Sequence, residues 1–198
     1  MTARPGELIL FGGNFLRHPR MLGSVVPSSR FLVRRVLRPI DWARARVVVE
    51  YGPGVGTMTG HMLRRMRSDA VLVAMETNAA FVRYLRRRYR DPRLHLTEGS
   101  AEDAGAALEA LGLDRADYVV SGIPYSTMPG PVREKVLRGS LAMLEDDGVL
   151  VVYQFTRAVL PDLRRLYGEV HEAFEPRNVL PARLFYCRKR RIAALGAE

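Results

Sequence analysis

Val47-Val48-Val49-Glu50-Tyr51-Gly52-Pro53-Gly54-Val55-Gly56-Thr57 decides how the rest of the chain is read. A short β-branched run that ends in an acid and breaks into alternating glycines predicts a buried strand entering a tight turn, with a helix over residues 57–67. The next apolar run, Val71-Leu72-Val73-Ala74-Met75-Glu76, reads as a second strand with an acid at its carboxyl end. Backbone amides and one carboxylate then gather at the edge where open α/β sheets bind ligands.

The spacing of the glycines selects among ligands. A dinucleotide fingerprint needs glycines at offsets of two and then three. From Gly52 the third position is Thr57, and from Gly54 it is Thr59, so that fingerprint fails. Pro53 also removes an amide donor, a poor arrangement for cradling a pyrophosphate. A ligand with a ribose and no phosphate fits better. S-adenosylmethionine is such a ligand: its carboxylate would take the loop amides and its ribose hydroxyls would take Glu76. The competing reading is that the three glycines only make a sharp turn.

At 198 residues, almost half of them apolar, the chain suits one domain with a full core. A single cysteine, Cys187, precludes an internal disulfide and a thiolate metal site. His18, His61, His95 and His171 are scattered without metal-binding spacing, so no metal site is expected. No apolar run reaches the ~18 residues of a membrane span, and the N-terminus lacks a signal-peptide core. The expected location is cytoplasmic, with peripheral attachment to the inner face of the membrane.

The net charge of +10 is polarised. Residues 1–46 hold nine arginines against Glu7 and Asp41, and residues 61–90 hold eight against Asp69 and Glu76. Such a basic face implies an anionic partner, either an acidic membrane surface or nucleic acid. An arginine-rich composition contributes, since Lys135 and Lys189 are the only lysines. Residues 1–29 form an N-terminal extension in which Leu8 to Phe11, Phe15, Leu16, Met21 and Leu22 are interleaved with Arg17, His18 and Arg20. A basic amphipathic segment of this kind lies in a lipid interface or folds over the ligand cleft as a lid.

Residues 30–198 carry the main domain. A helix is expected over residues 30–38, capped by serine. Further helices are expected over residues 78–90, 102–112, 131–140 and 159–167, and further strands over 93–97, 118–121, 148–155, 170–175 and 183–188. Strands alternating with helices make a parallel sheet covered on both faces, and the final strand pair closes it as an antiparallel hairpin.

Glu50 to Gly56, Glu76, Glu98-Gly99-Ser100-Ala101-Glu102-Asp103 and Ser121 to Tyr125 resemble, in order, the motifs of class I S-adenosylmethionine-dependent methyltransferases. The resemblance covers roughly residues 30–190. It implies an α/β Rossmann-like fold with a seven-stranded, mostly parallel sheet whose last strand is antiparallel. By analogy Gly52, Gly54 and Gly56 approach the methionine portion, Glu76 holds the ribose, and Ala101 and Glu102 flank the adenine. The same resemblance counts Glu50, Thr77, Ser100, Ser121 and Ser24 among the cofactor-binding residues.

Within that class, Arg20 to Ser29 is similar to the "TGSVxPTS" segment of bacterial phospholipid N-methyltransferases. Ser121 to Pro129 is similar to their "S-x-x-P-L-L-x-x-P" stretch, and residues 154–156 and 177–182 resemble later segments. This implies methylation of phosphatidylethanolamine towards phosphatidylcholine, with an anionic membrane surface and a phospholipid as partners. Tyr125 stands where that group has leucine.

A second resemblance joins Phe11 to Leu16 to the "FGQNFL" opening of ribosomal-RNA adenine dimethylases, and Ile123-Pro124-Tyr125 to the end of their "N-L-P-Y" motif. Gly122 stands where that motif has the asparagine that accepts a hydrogen bond from adenine's exocyclic nitrogen. A C-terminal helical domain for gripping RNA is not expected after residue 190. These residues favour a lipid amine over RNA. A non-catalytic S-adenosylmethionine-binding module is the remaining alternative. For catalysis, Tyr125 is the expected group to orient the amine or take its proton, with His18 as a second base if the extension covers the cleft.

Overall fold

The computed structural model describes residues 28–189; His18, Ser24 and the rest of the extension through residue 27 lie outside the described residues. Seven strands form one sheet in the order β3-β2-β1-β4-β5-β7-β6. The strands are β1 (Val47–Tyr51), β2 (Val71–Glu76), β3 (Leu94–Glu98), β4 (Ala116–Ser121), β5 (Leu144–Gln154), β6 (Glu169–Glu175) and β7 (Ala182–Arg188). β1 to β5 pair in parallel, and β7 runs antiparallel to both β5 and β6. The strand order reverses between β1 and β4, so a crevice opens there at the carboxyl ends of the strands.

Helices α1 (Arg30–Val36), α2 (Thr57–Leu63), α3 (Ala79–Arg88), α4 (Ala104–Glu109), α5 (Gly130–Met143) and α6 (Leu160–Leu166) cover the sheet. Alternation along each strand divides the core in two. On one face Val49, Tyr51, Val119, Leu150 and Val152 pack with Leu108, Leu137 and Leu163 of α4, α5 and α6. On the other face Val48, Leu72, Val120, Val149 and Val151 pack with Leu32, Val33 and Val36 of α1 and Met58 and Met62 of α2. Burial on both faces is why β1 reads as an unbroken β-branched run.

Local capping sets the ends. Ser29 Oγ accepts from the Leu32 amide at the start of α1, and Asn78 Oδ1 accepts from Ala80 at the start of α3. The helix expected over 57–67 stops at Leu63 because a distant side chain caps it. Arg93 donates to the carbonyls of Leu63, Met66 and Arg67 at 2.7, 2.8 and 3.1 Å. Among the described residues no helix is long and apolar enough to cross a membrane.

Candidate active site

The turn after β1 brings its glycines up against neighbouring elements. Gly52 has φ +68, and a Cβ there would lie 2.9 Å from Ile123 Cγ2. Gly56 has φ +78, and a Cβ there would meet Leu85 at 2.6 Å and the Tyr89 ring at 2.7 Å. Both positions demand glycine twice over, by backbone conformation and by space. Tyr89, at the end of α3, donates its hydroxyl to the Gly56 carbonyl at 2.7 Å and so pins the turn to its neighbour.

The amides of these glycines correct one expectation. Gly52 N–H donates to the Met75 carbonyl at 2.9 Å and Gly56 N–H to the Pro53 carbonyl at 2.8 Å. Gly54 N–H donates to Glu76 Oε2 at 3.0 Å. All three are engaged within the protein and do not wait for a cofactor carboxylate; the glycines serve close approach instead. Glu76 also accepts from the Asn78 amide at 2.9 Å through Oε1. Desolvation raises its pKa, although the backbone donors of Asn78, Gly54 and Thr77 pull the other way. Each oxygen of a carboxylate has two lone pairs, so Glu76 keeps acceptor capacity for hydroxyl donors.

Glu50 is the stronger signal. Its side chain is 1% exposed, and Oε2 accepts from the Thr59 hydroxyl at 2.6 Å. Oε1 is buried without a hydrogen-bond partner. Burial pushes the carboxyl up to about 8, against the lowering effect of Thr59, with the charge of Glu76 adding to the rise. An unsatisfied buried acceptor costs about 1–3 kcal/mol, so an oxygen left in that state suits a donor that arrives with a ligand. S-adenosylmethionine fits this acceptor-rich set: it brings a cationic amino group for Glu50 and ribose hydroxyls for Glu76.

One polar group here was missed from sequence. Register places Val120 of β4 beside Val151 of β5, which sets Gly122 against Tyr153. A Cβ at Gly122 would lie 2.3 Å from the Tyr153 hydroxyl. The phenol therefore fills the space that any side chain at 122 would occupy. Its hydroxyl has no hydrogen-bond partner among the described residues, and burial together with the charge of Glu50 raises its pKa. A hydroxyl-bearing aromatic at the carboxyl end of a parallel strand was the readable signal.

Tyr125, expected to handle the acceptor amine, lies elsewhere. It is fully buried in the core on the α4–α5–α6 face, where its oxygen and Ser121 Oγ share a hydrogen bond of 2.9 Å. Burial raises its pKa beyond any useful range. It builds the wall of the turn and does not face an acceptor. Ser121, expected at the cofactor, is likewise fully buried and engaged. Ser100 Oγ caps the turn by accepting from the Glu102 amide at 3.2 Å, and Glu102 pairs with Lys135 at 3.3 Å. Ala101 packs at the core margin, and Thr77 is exposed beside Glu76. Among the described residues no His, Cys, Asp or Glu cluster could hold a metal ion.

No family model matches the chain. It is 33% identical over 184 residues, 92% of this chain and 96% of the relative, to the ornithine lipid N-methyltransferase of Singulisphaera acidiphila. It is 31% identical over 117 residues, 59% of this chain and 41% of the relative, to ribosomal RNA small subunit methyltransferase A of Thermotoga petrophila. Among solved structures, the Burkholderia thailandensis 1,6-didemethyltoxoflavin-N1-methyltransferase, with S-adenosylhomocysteine bound, gives a TM-score of 0.61. That pair is 15% identical with 96% of this chain and 92% of the other covered, a likeness of fold.

Proposed function

The chain belongs to the class I S-adenosylmethionine-dependent methyltransferases, in the family of the ornithine lipid enzyme, and on that premise we propose that it N-methylates the headgroup amine of a membrane lipid. It is an enzyme, and S-adenosylmethionine is its cofactor. Phosphatidylethanolamine and its methylated derivatives are the acceptors that the sequence motifs favour. The relative is named for ornithine lipid, which supports that lipid as a further candidate acceptor. The protein would work peripherally, at the cytoplasmic face of an anionic membrane.

The observation that carries the choice of acceptor is position 122. An asparagine side chain needs the volume that Tyr153 fills, 2.3 Å from where its Cβ would stand. That supports an aliphatic amine, which needs one well-placed oxygen, over an adenine, which needs an acceptor for its exocyclic nitrogen. We assign that oxygen to the Tyr153 hydroxyl.

When bound, the cofactor supplies a methyl group on a sulfonium, open to in-line displacement by nitrogen. The residues of the chain contribute alignment, which does most to accelerate such a step. A lipid amine that titrates near about 10.4 is neutral in about one molecule in two thousand at pH 7. Desolvation in the crevice favours the neutral form, and about 4 kcal/mol of differential interaction lowers the pKa by about three units. Tyr153 would accept a hydrogen bond from an amine N–H, the ammonium proton passing to solvent, and would hold the nitrogen lone pair on line.

The test offers labelled S-adenosylmethionine to three acceptors in parallel: vesicles with phosphatidylethanolamine, vesicles with ornithine lipid, and unmodified ribosomal RNA. Label in either lipid extract supports the reading and selects the headgroup. Label in RNA alone overturns it.

A further inference from the structure

Five large apolar side chains are exposed among the described residues, and four of them lie at one end of the molecule. Val179 (72% exposed) and Leu180 (37%) form the tip of the β6–β7 hairpin. Phe174 (46%) lies near the end of β6, and Phe155 (42%) directly follows β5. Because β7 runs antiparallel to β5, with Arg183 beside Gln154, this tip projects from the same edge as the carboxyl ends of β1, β4 and β5. That is the edge where Glu50, Gly122 and Tyr153 stand. Leu111, the fifth, follows α4 and precedes β4 at the opposite edge.

The hairpin is braced on both faces by arginines. On the α1 face Glu175, 1% exposed, accepts from Arg35 Nε at 3.0 Å and from the Arg177 amide at 3.0 Å. Burial pushes this carboxyl up, but the bonds from Arg177 and the charges of Arg177 and Arg35 outweigh burial and hold it below the ordinary value. The Arg177 guanidinium lies 4.1 Å from the centroid of Phe31, and Arg30 covers the same ring at 4.8 Å. Asn178 ties the tip to the start of α1 by accepting from the Ser29 amide at 2.8 Å. On the opposite face Glu172 accepts from Arg157 at 2.7 Å and from Arg183 at 2.9 Å, and Arg183 lies 5.4 Å from the centroid of Phe174.

Glu172 and Glu175 are both paired, by four arginines between them, and a fifth, Arg30, covers the Phe31 ring on which Arg177 also lies. The result is a braced blade with an aliphatic tip, aromatic shoulders and a cationic collar. Arginine stems lie along apolar surface while their heads reach anionic groups. Apolar tip and collar together match the two layers of a bilayer surface, hydrocarbon and phosphate.

We infer that the β6–β7 hairpin tip is a bilayer-docking wedge, with Val179 and Leu180 entering the acyl region of an anionic leaflet and Arg30 and Arg177 at its phosphates. Docked this way, the crevice at the strand ends faces the lipid headgroups. The inference rests on the aminolipid reading, whose partner it assigns to a surface.

The test compares the full chain with V179S/L180S and with Arg30→Gln. Binding is read by sedimentation with vesicles of phosphatidylcholine and phosphatidylethanolamine, with and without phosphatidylglycerol, at low and high salt. Calorimetry with S-adenosylmethionine and methylation of a short-chain, water-soluble phosphatidylethanolamine accompany it. V179S/L180S should weaken vesicle binding at least about tenfold, the scale of withdrawing one or two aliphatic side chains from an apolar phase. It should lose vesicle methylation to the same degree, with cofactor affinity and short-chain turnover unchanged. Arg30→Gln should weaken only the salt-sensitive, phosphatidylglycerol-dependent part of binding.

Vesicle binding by V179S/L180S equal to that of the unaltered chain overturns the wedge, while lipid methylation by the unaltered chain still upholds the enzyme reading. A change of solution mass in that variant with vesicle binding intact also overturns it, and makes the face a contact between copies. Failure of the unaltered chain to methylate both phosphatidylethanolamine and ornithine lipid, in vesicles or in short-chain form, overturns the aminolipid reading, and the binding comparison then judges the wedge by itself.

Discussion

Tyr125 and Tyr153 follow or end neighbouring strands at one edge of the sheet, on opposite faces, and their circumstances differ. Tyr125 shares its hydrogen bond with Ser121 inside a closed apolar core and sees no solvent. Tyr153 presents a hydroxyl without a partner among the described residues, over a glycine and within the field of a buried glutamate. The first arrangement is complete, as cores are. The second is incomplete, and so is Glu50 beside it, with one buried oxygen unpaired. Polar groups left unsatisfied near a crevice mark where a ligand belongs, whereas satisfied ones hold the fold together.

The largest expected effect sharpens this contrast on the open face. Glu76→Ala removes an acceptor of two backbone amides and, on the proposed assignment, of the ribose hydroxyls. Charge-assisted hydrogen bonds contribute about 1.5–3 kcal/mol each, so S-adenosylmethionine affinity should fall about a hundredfold or more by calorimetry. Unchanged affinity removes Glu76 from the cofactor site. Next is Gly122→Ala, whose Cβ would clash with the Tyr153 hydroxyl at 2.3 Å. Overpacking of this kind costs about 1–3 kcal/mol in denaturant unfolding. Truncating the ring in G122A/Y153A should recover most of the loss that the clash causes, a coupling that a double-mutant cycle measures.

What was legible in the sequence was local. The run Val47 to Val49, the glycine break and the acid at Glu76 are each set by residues close to them in the chain, and the structure keeps them where the pattern placed them. The end of α2 was not legible, because its carbonyls are capped by Arg93 from beyond β2. Nor was the meeting of Gly122 with Tyr153, which depends on the register of two strands joined through α5. Tyr125 misled because a motif position gives the residue but not the face of the sheet it takes. A tyrosine at a motif and a tyrosine at a site are separated only by pairing and burial.

A pH experiment sharpens the electrostatic side of the contrast. Burial raises the Glu50 carboxyl from its ordinary 4.5 to about 8, so the folded chain without cofactor holds a proton that the unfolded chain releases. Stability of that form should therefore fall as pH rises from about 4.5 through about 8, and Glu50→Gln should remove this slope. A cationic partner favours the carboxylate, so cofactor affinity should rise with pH by up to about tenfold per unit below the Glu50 pKa. Proton release on binding, read by calorimetry in buffers of different ionisation enthalpy, should accompany it. A flat affinity profile, identical in Glu50→Gln, separates Glu50 from the cofactor.

The smallest effects are the most discriminating, because the same substitution is made on both faces. Tyr125→Phe leaves the buried Ser121 hydroxyl without its partner and should cost about 1 kcal/mol of stability, with turnover per folded molecule unchanged. Tyr153→Phe keeps the ring over Gly122 and removes a hydroxyl that no described residue uses, so stability should stay within about 0.5 kcal/mol. Its cost should fall on kcat with the lipid amine, about fivefold to tenfold, the scale of one hydrogen bond from the amine N–H. Cofactor affinity should not move. Were Tyr125→Phe to lower kcat and Tyr153→Phe to lower only stability, the two faces would exchange roles. Position 122 would then be closed for packing alone, and the case for an aliphatic amine over a base would rest on the relative's name.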